Sequence, residues 1–144
     1  MPSILGVLED HLSDDLRQPQ YRGHPNPLRG HCYVMSEAFF YILGGKSQGW
    51  KPATCNVLCD GKRVVHWFLF HERNRVICDP TRQQFTEEEF VPYAYGRGRG
   101  FLTKKPSKRT RELIRRAAKT LQMVGVEPHL KLARLASTLS RGPR

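Results

Sequence analysis

The sequence predicts an α+β protein, and three stretches carry that prediction. Residues 32–43 place Val34, Met35, Ala38, Phe39 and Ile42 at helical spacing and stop at Gly44-Gly45. Residues 53–78 hold three strand-like runs, 53–59, 63–71 and 75–78, with turn signals at Asp60-Gly61 and around Arg73-Asn74. The last third carries two helical patterns, over 107–123 and 128–140, each closing near a glycine.

The remaining elements follow in chain order. Ile4, Leu5, Val7, Leu8 and Leu12 predict a short amphipathic helix within 3–15. The stretch "RQPQYRGHPNPLRG" holds three prolines and two glycines and reads as an irregular segment that delivers the chain to Cys32. "TEEEF" reads as a short helix capped by Thr86, its carboxylates near the positive end of the helix dipole. "YAYGRGRGFLTKKPSKR" is a Gly- and Arg-rich connection to the terminal helices, which could form a hairpin on the body or a mobile arm.

A chain of 144 residues, 39% hydrophobic with seven Phe, five Tyr and two Trp, has enough for one core and little for a second. That composition excludes a wholly disordered chain. No run of eighteen apolar residues occurs, and "MPSILGVLEDHLSDDL" lacks the basic and long apolar regions of a signal peptide. A soluble, cytoplasmic protein is expected, with Cys32, Cys55, Cys59 and Cys78 as reduced thiols.

The net charge of +11 is concentrated at one end. Residues 97–144 hold fourteen Lys or Arg against two Glu, while residues 1–96 hold ten basic and eleven acidic side chains. The expected division is therefore a near-neutral body, 1–96, and a basic Gly/Arg linker with two helices, 97–144.

In "GHCYVMSEAFFYILGG" Cys32 opens the central helix. There the unpaired N–H groups and the dipole favour thiolate, lowering a thiol pKa from about 8.5. His66 lies in "RVVHWFLFH" and Asp79 ends "RVICDP". Side chains alternate along a strand, so a hairpin loop with an even number of residues puts both on one face. A loop at Glu72-Arg73 makes them directly opposite; one at Arg73-Asn74, preferred because Asn tolerates positive φ, makes them diagonal neighbours. Asp79 then accepts a hydrogen bond from His66, and Trp67 points to the opposite face.

These three segments, with Asp79-Pro80-Thr81 thirteen residues after His66, resemble the transglutaminase-like branch of the papain-like cysteine enzymes across residues 28–85. The resemblance implies a papain-like core: a helix headed by the nucleophilic cysteine and packed on an antiparallel sheet carrying His and Asp. It makes Cys32 the nucleophile, His66 the general base and acid, and Asp79 the orienting carboxylate. It implies an amide hydrolase or acyl transferase acting on an amide- or acyl-bearing protein or small molecule. Candidate oxyanion donors are the Cys32 backbone N–H and, from the upstream Gln of papain-like enzymes, the side chain of Asn26. The alternative is an inactive nucleic-acid- or protein-binding protein on the same scaffold.

No cofactor is called for. Cys55, Cys59, Cys78 and His71 are suitable in type for zinc. On a regular strand, however, residues 55 and 59 stand about 13 Å apart at ~3.3 Å per residue, too far to share one ion. On the first C-terminal helix, Leu113, Ile114, Ala117, Ala118 and Leu121 form an apolar face, and Glu112 can pair with Arg116. Lys108, Arg111, Arg115 and Lys119 form a basic stripe, which predicts contact with a polyanion, nucleic acid or an acidic partner.

Overall fold

The computed structural model describes residues 3–126. It is an α+β fold in which helices α1 (Ile4–Glu9), α2 (Cys32–Ile42) and α3 (Lys108–Met123) pack against a four-stranded antiparallel sheet. The strands are β1 (Trp50–Cys59), β2 (Lys62–His71), β3 (Ile77–Cys78) and β4 (Arg97–Gly98), in the order β3-β2-β1-β4. Asp60-Gly61 closes the β1–β2 hairpin with both residues at positive φ, 52° and 73°, the signature of a tight two-residue turn.

The two sheet faces are covered differently. On one, Leu69 meets Val34, Met35, Ala38 and Ile42 of α2, Val7 and Leu8 of α1, and Leu113, Ile114, Ala117 and Leu121 of α3 in a single core. On the other, Ala53, Val57 and Phe68 pack under Phe85 and Val91 from the segment that follows β3. The core thus runs across the expected boundary at residues 96 and 97.

Several elements differ from the sequence reading. α1 stops at Glu9, and Asp14–Leu16 form a separate 3₁₀ turn, because Ser13 and the two Asp residues prefer turns and helix starts to helix interiors. "TEEEF" makes a reciprocal cap, Thr86 N–H to Glu89 Oε1 at 2.8 Å and Glu89 N–H to Thr86 Oγ1 at 3.2 Å, but no helix follows. Beyond it Phe90 is exposed and Pro92 cannot continue a helix, so the capping signal yields one turn. The third strand shrinks to Ile77–Cys78, and β4 was not anticipated.

α3 begins at the N-cap Ser107 and ends in a Schellman motif. Val126 N–H bonds the Leu121 carbonyl at 3.2 Å and Gly125 N–H the Gln122 carbonyl at 3.1 Å, with Gly125 at φ 78°. Glu112 pairs mainly with Arg115, while Arg116 reaches Asp15 at 2.5 Å and ties α3 to the amino-terminal segment. Arg111 is buried, so the stripe is narrower than the spacing suggests: Lys108, Arg115 and Lys119 are exposed. The helix expected over 128–140 lies outside the described residues. No described helix is long and apolar enough to cross a membrane.

Glu37 locks α2 to the segment entering α3. It is fully buried and accepts hydrogen bonds from Ser107 N–H at 2.9 Å and the Tyr33 hydroxyl at 3.4 Å, and that hydroxyl accepts Leu102 N–H at 2.8 Å. Glu37→Ala strands these donors inside the protein. It is expected to cost about 2–3 kcal/mol, read as a lower urea midpoint with an unchanged slope. An unmoved midpoint would show that the network contributes nothing.

Candidate functional site

Cys32 owes its position to the irregular segment before it. The buried guanidinium of Arg17 donates to the carbonyls of Tyr21, His24, Asn26 and Pro27 at 2.9–3.4 Å, which folds the proline-rich stretch around one charge. The fully buried imidazole of His31 lies between the Pro27 and Ser13 carbonyls, 2.8 Å from one at Nδ1 and 3.2 Å from the other at Nε2, and its single proton bonds one of them. Gly30 sits at φ 85°, where a Cβ would stand 2.7 Å from both Arg17 and Tyr21 side chains. Because His31 is turned to these carbonyls, it places no side-chain cap on α2. The first-turn N–H groups at Cys32 are left to whatever reaches the thiol.

Ser36, one turn along α2, donates to the Trp67 carbonyl at 3.1 Å and holds the helix against β2 beside His66. His66 is fully buried, edge-on to Phe85 at 5.0 Å. Its Nε2 lies 2.7 Å from Asp79 Oδ2, which also accepts the Tyr93 hydroxyl at 2.5 Å. Gln84 Nε2 lies 3.2 Å from His66 Nδ1 and donates to Thr81 Oγ1 at 2.9 Å. In the neutral imidazole, a ring proton on Nε2 facing Asp79 leaves the lone pair on Nδ1. That is the tautomer a general base needs.

Burial pulls the His66 pKa down, but hydrogen bonds to Asp79 and Cys32, and the charges on both, outweigh it and push the imidazole up to about 9. The other thiols are held protonated. Burial first, then the Asp79 charge, pushes Cys55 and Cys78 up to about 11, and burial also raises Cys59. Tyr93 is pushed above its usual range by burial and by Asp79, so its phenol remains a donor to the carboxylate.

The structure therefore joins His66 and Asp79 directly, with Cys32 near enough to act on the same imidazole. The β2–β3 register pairs Leu69 with Cys78 and Phe70 with Ile77, which makes His66 and Asp79 diagonal neighbours. The loop that achieves this spans Glu72 to Arg75, with the positive φ, 62°, at Arg75 and not at Asn74. Its even length preserves the parity.

No protein-family model, curated protein or solved structure matches the chain. Its chemistry is read from its residues alone.

Asn26 does not present its amide to Cys32. Its Nδ2 donates to the Gln83 and Gln84 carbonyls at 3.1 and 3.4 Å, and its Oδ1 accepts Leu28 N–H, so it clamps the segment before Cys32 to the turn carrying Gln84. Gln84, Tyr93 and Cys55 are the site residues the sequence reading missed. Cys55 was accessible to it, since a two-residue turn at Asp60-Gly61 pairs residue 55 with 66, and that is the observed register. Gln84 and Tyr93 arrive from irregular chain after Asp79, where no periodicity marks them. His71, on the strand face opposite Cys55 and Cys59, bonds the Gln48 carbonyl. The group that does converge, Cys59, Asp60 and Glu89 within 4.8 Å, faces Arg29.

Cavities of about 670 Å³ and 750 Å³ lie against Trp50 and Phe101 and against His24 and Asn26, and neither is lined by Cys32, His66 or Asp79. A cleft of about 380 Å³ is lined by Cys55, the cross-strand partner of His66, together with Thr54, Tyr95, Arg97 and Arg99.

Because His66 has a folded pKa of about 9 against an ordinary 6.5, its stabilising effect is fully present below pH 6.5 and lost as pH rises through 9. The urea midpoint is expected to fall across that window in the native protein. In Asp79→Asn, where burial is opposed by less, that fall should disappear. An identical slope in both proteins would break the assignment of the shift to Asp79.

Proposed function

We propose that the protein is a cysteine-dependent amide hydrolase or acyl transferase on a transglutaminase-like, papain-like scaffold, with Cys32 as nucleophile, His66 as base and acid, and Asp79 as orienting carboxylate. The observation that carries this reading is the 2.7 Å His66–Asp79 hydrogen bond, on an imidazole whose pKa the neighbouring Cys32 also helps to raise. A buried, oriented imidazole beside a thiol at a helix N-terminus is the arrangement an activated thiolate requires.

The chemistry follows from these positions. Cys32 gives its proton to His66 Nδ1, and the thiolate attacks the acyl carbon. The negative charge that develops on the carbonyl oxygen is received by the Cys32 backbone N–H, favoured by the α2 dipole. As the C–N bond breaks, the imidazolium returns its proton to the leaving amine, and a thioester remains on Cys32. Water or an amine then attacks the thioester and gives a proton to His66, and the thiolate leaves, taking the charge back beside the imidazole. Asp79, itself held by Tyr93, keeps Nε2–H engaged throughout, so only Nδ1 exchanges protons.

The test uses two acyl donors, a 4-nitrophenyl ester and an amide of the same acid. Acyl-Cys32 should be visible by intact mass with the ester. Cys32→Ala should abolish it, and His66→Ala should slow it by about 10²-fold or more. Turnover of the amide should fall as pH passes about 9, where the imidazolium that protonates the leaving amine is lost. Ester acylation, whose leaving group needs no proton, should lack that limb. Acylation undiminished in Cys32→Ala would refute the proposal.

A further inference from the structure

The segment Gly96-Arg97-Gly98-Arg99-Gly100 leads from the edge of β1 toward the first turn of α2. β4 pairs Arg97 with Thr54 and Gly98 with Ala53, and Thr54 in turn pairs with Trp67 of β2. At ~4.8 Å between strands, Arg97 lies about 10 Å from Trp67 along the sheet. The chain then crosses toward the first turn of α2. Phe101 stacks on Trp67 with ring centres 5.8 Å apart and meets Tyr33 edge-on at 5.5 Å, and Leu102 N–H bonds the Tyr33 hydroxyl. Trp67 and Tyr33 are the residues against which Cys32 is buried. The strap therefore begins at the edge of β1 and ends beside the thiol's own helical turn.

Its alternating composition has a physical reason. A Cβ at Gly96 would fall 2.7 Å from Phe68 and 2.9 Å from the Tyr93 carbonyl, and one at Gly98 would fall 3.0 Å from the Lys51 side chain. Gly96, where a Cβ would meet ring and backbone, lets the strap lie close on the sheet, while at Gly98 only the movable end of Lys51 stands near. The intervening arginines, two residues apart in extended chain, share a face, and both line the 380 Å³ cleft with Thr54, Cys55 and Tyr95. Arg99 is oriented by donating its Nε to Thr54 Oγ1 at 2.6 Å, a bond that does not use its two terminal nitrogens. Among the described residues neither guanidinium forms an ion pair with Asp or Glu. Two guanidinium forks in one cleft, without a carboxylate, match a planar or tetrahedral oxyanion.

We propose that this strap is the anion subsite of the acyl donor: Arg97 and Arg99 hold a carboxylate or phosphate carried by the substrate while its acyl carbon meets Cys32. This rests on the reading of Cys32 as nucleophile and adds the substrate's class, an amide or ester bearing a nearby anionic group.

Alkylation of Cys32 separates the two claims. The thiolate displaces iodide from neutral iodoacetamide and anionic iodoacetate by the same reaction, and peptide mapping reads which cysteine is modified. In the native protein iodoacetate should gain on iodoacetamide by about tenfold relative to free cysteine, from the combined pull of the imidazolium and both arginines. Arg97→Gln/Arg99→Gln should lower that ratio by about fivefold and leave the iodoacetamide rate within about twofold. Arg97→Gln alone, which spares the Arg99–Thr54 bond, should give part of the loss, and Lys119→Gln, on α3, none. Succinate or inorganic phosphate should protect Cys32 from iodoacetate in the native protein and not in the double variant. The more effective of the two identifies the anion. An unchanged ratio in the double variant, or protection by neither anion, overturns the subsite. Iodoacetamide modifying Cys32 no faster than Cys55, Cys59 and Cys78 overturns the nucleophile reading instead.

Discussion

The arrangement depends on one buried hydrogen bond, from the Ser36 hydroxyl to the Trp67 carbonyl. His71 N–H pairs with the Val76 carbonyl, so the two-residue period of β2 turns the backbone of Leu69 and Trp67 to that same side. β3 ends at Cys78 opposite Leu69, which leaves the Trp67 carbonyl beyond the last rung of the ladder. An unpaired carbonyl there would cost about 1–3 kcal/mol. Ser36 satisfies it and in doing so fixes the height of α2 over the sheet. Cys32, four residues earlier on the same helical face, and His66, adjacent to Trp67, are then bound to one another by geometry.

The surrounding polar groups follow from the same constraint. An imidazole and a carboxylate with almost no access to water are stable only when each is paired. Asp79 is paired twice on one oxygen, by His66 and Tyr93, and His66 has Gln84 on its other nitrogen. The pairs come from three separate stretches of chain: β2, the turn after β3, and the segment leading to β4. Asn26 adds a fourth by clamping the Gln84 turn to the segment before Cys32. A small domain with one short sheet thus holds the group rigid by crossing irregular chain over it, where a larger fold would use more strands.

What the sequence made legible was whatever repeats or alternates. The α2 pattern, the Asp60-Gly61 turn and the parity linking residues 66 and 79 rest on fixed periods, and each reappears in the structure with bounds moved by only a few residues. Side chains that reach the site from irregular chain carry no such period. Gln84 sits in a 3₁₀ turn and Tyr93 in another, and only the tertiary fold directs them at His66 and Asp79. Arg111 misled for a related reason: its helical spacing put it on the basic stripe, but the tertiary fold buries it. "TEEEF" failed differently: its cap formed, but no apolar face follows to make a helix worth propagating.

The charge asymmetry also changes meaning once the folded partners are known. On α3, Arg111 is buried, Arg115 is engaged by Glu112 and Arg116 by Asp15, so three of its arginines serve the fold. Lys108 and Lys119 remain at the surface, where an ammonium is well hydrated and screened. Arg97 and Arg99 are in a different setting. They stand on a glycine-spaced strap in a cleft walled by Cys55 and Thr54, without a carboxylate to neutralise them among the described residues. Guanidinium is less strongly hydrated than ammonium and binds oxyanions in a fixed geometry. The part of the basic charge best placed to recognise something is therefore not the helix with the highest charge density but the strap that runs from the sheet edge to the first turn of α2.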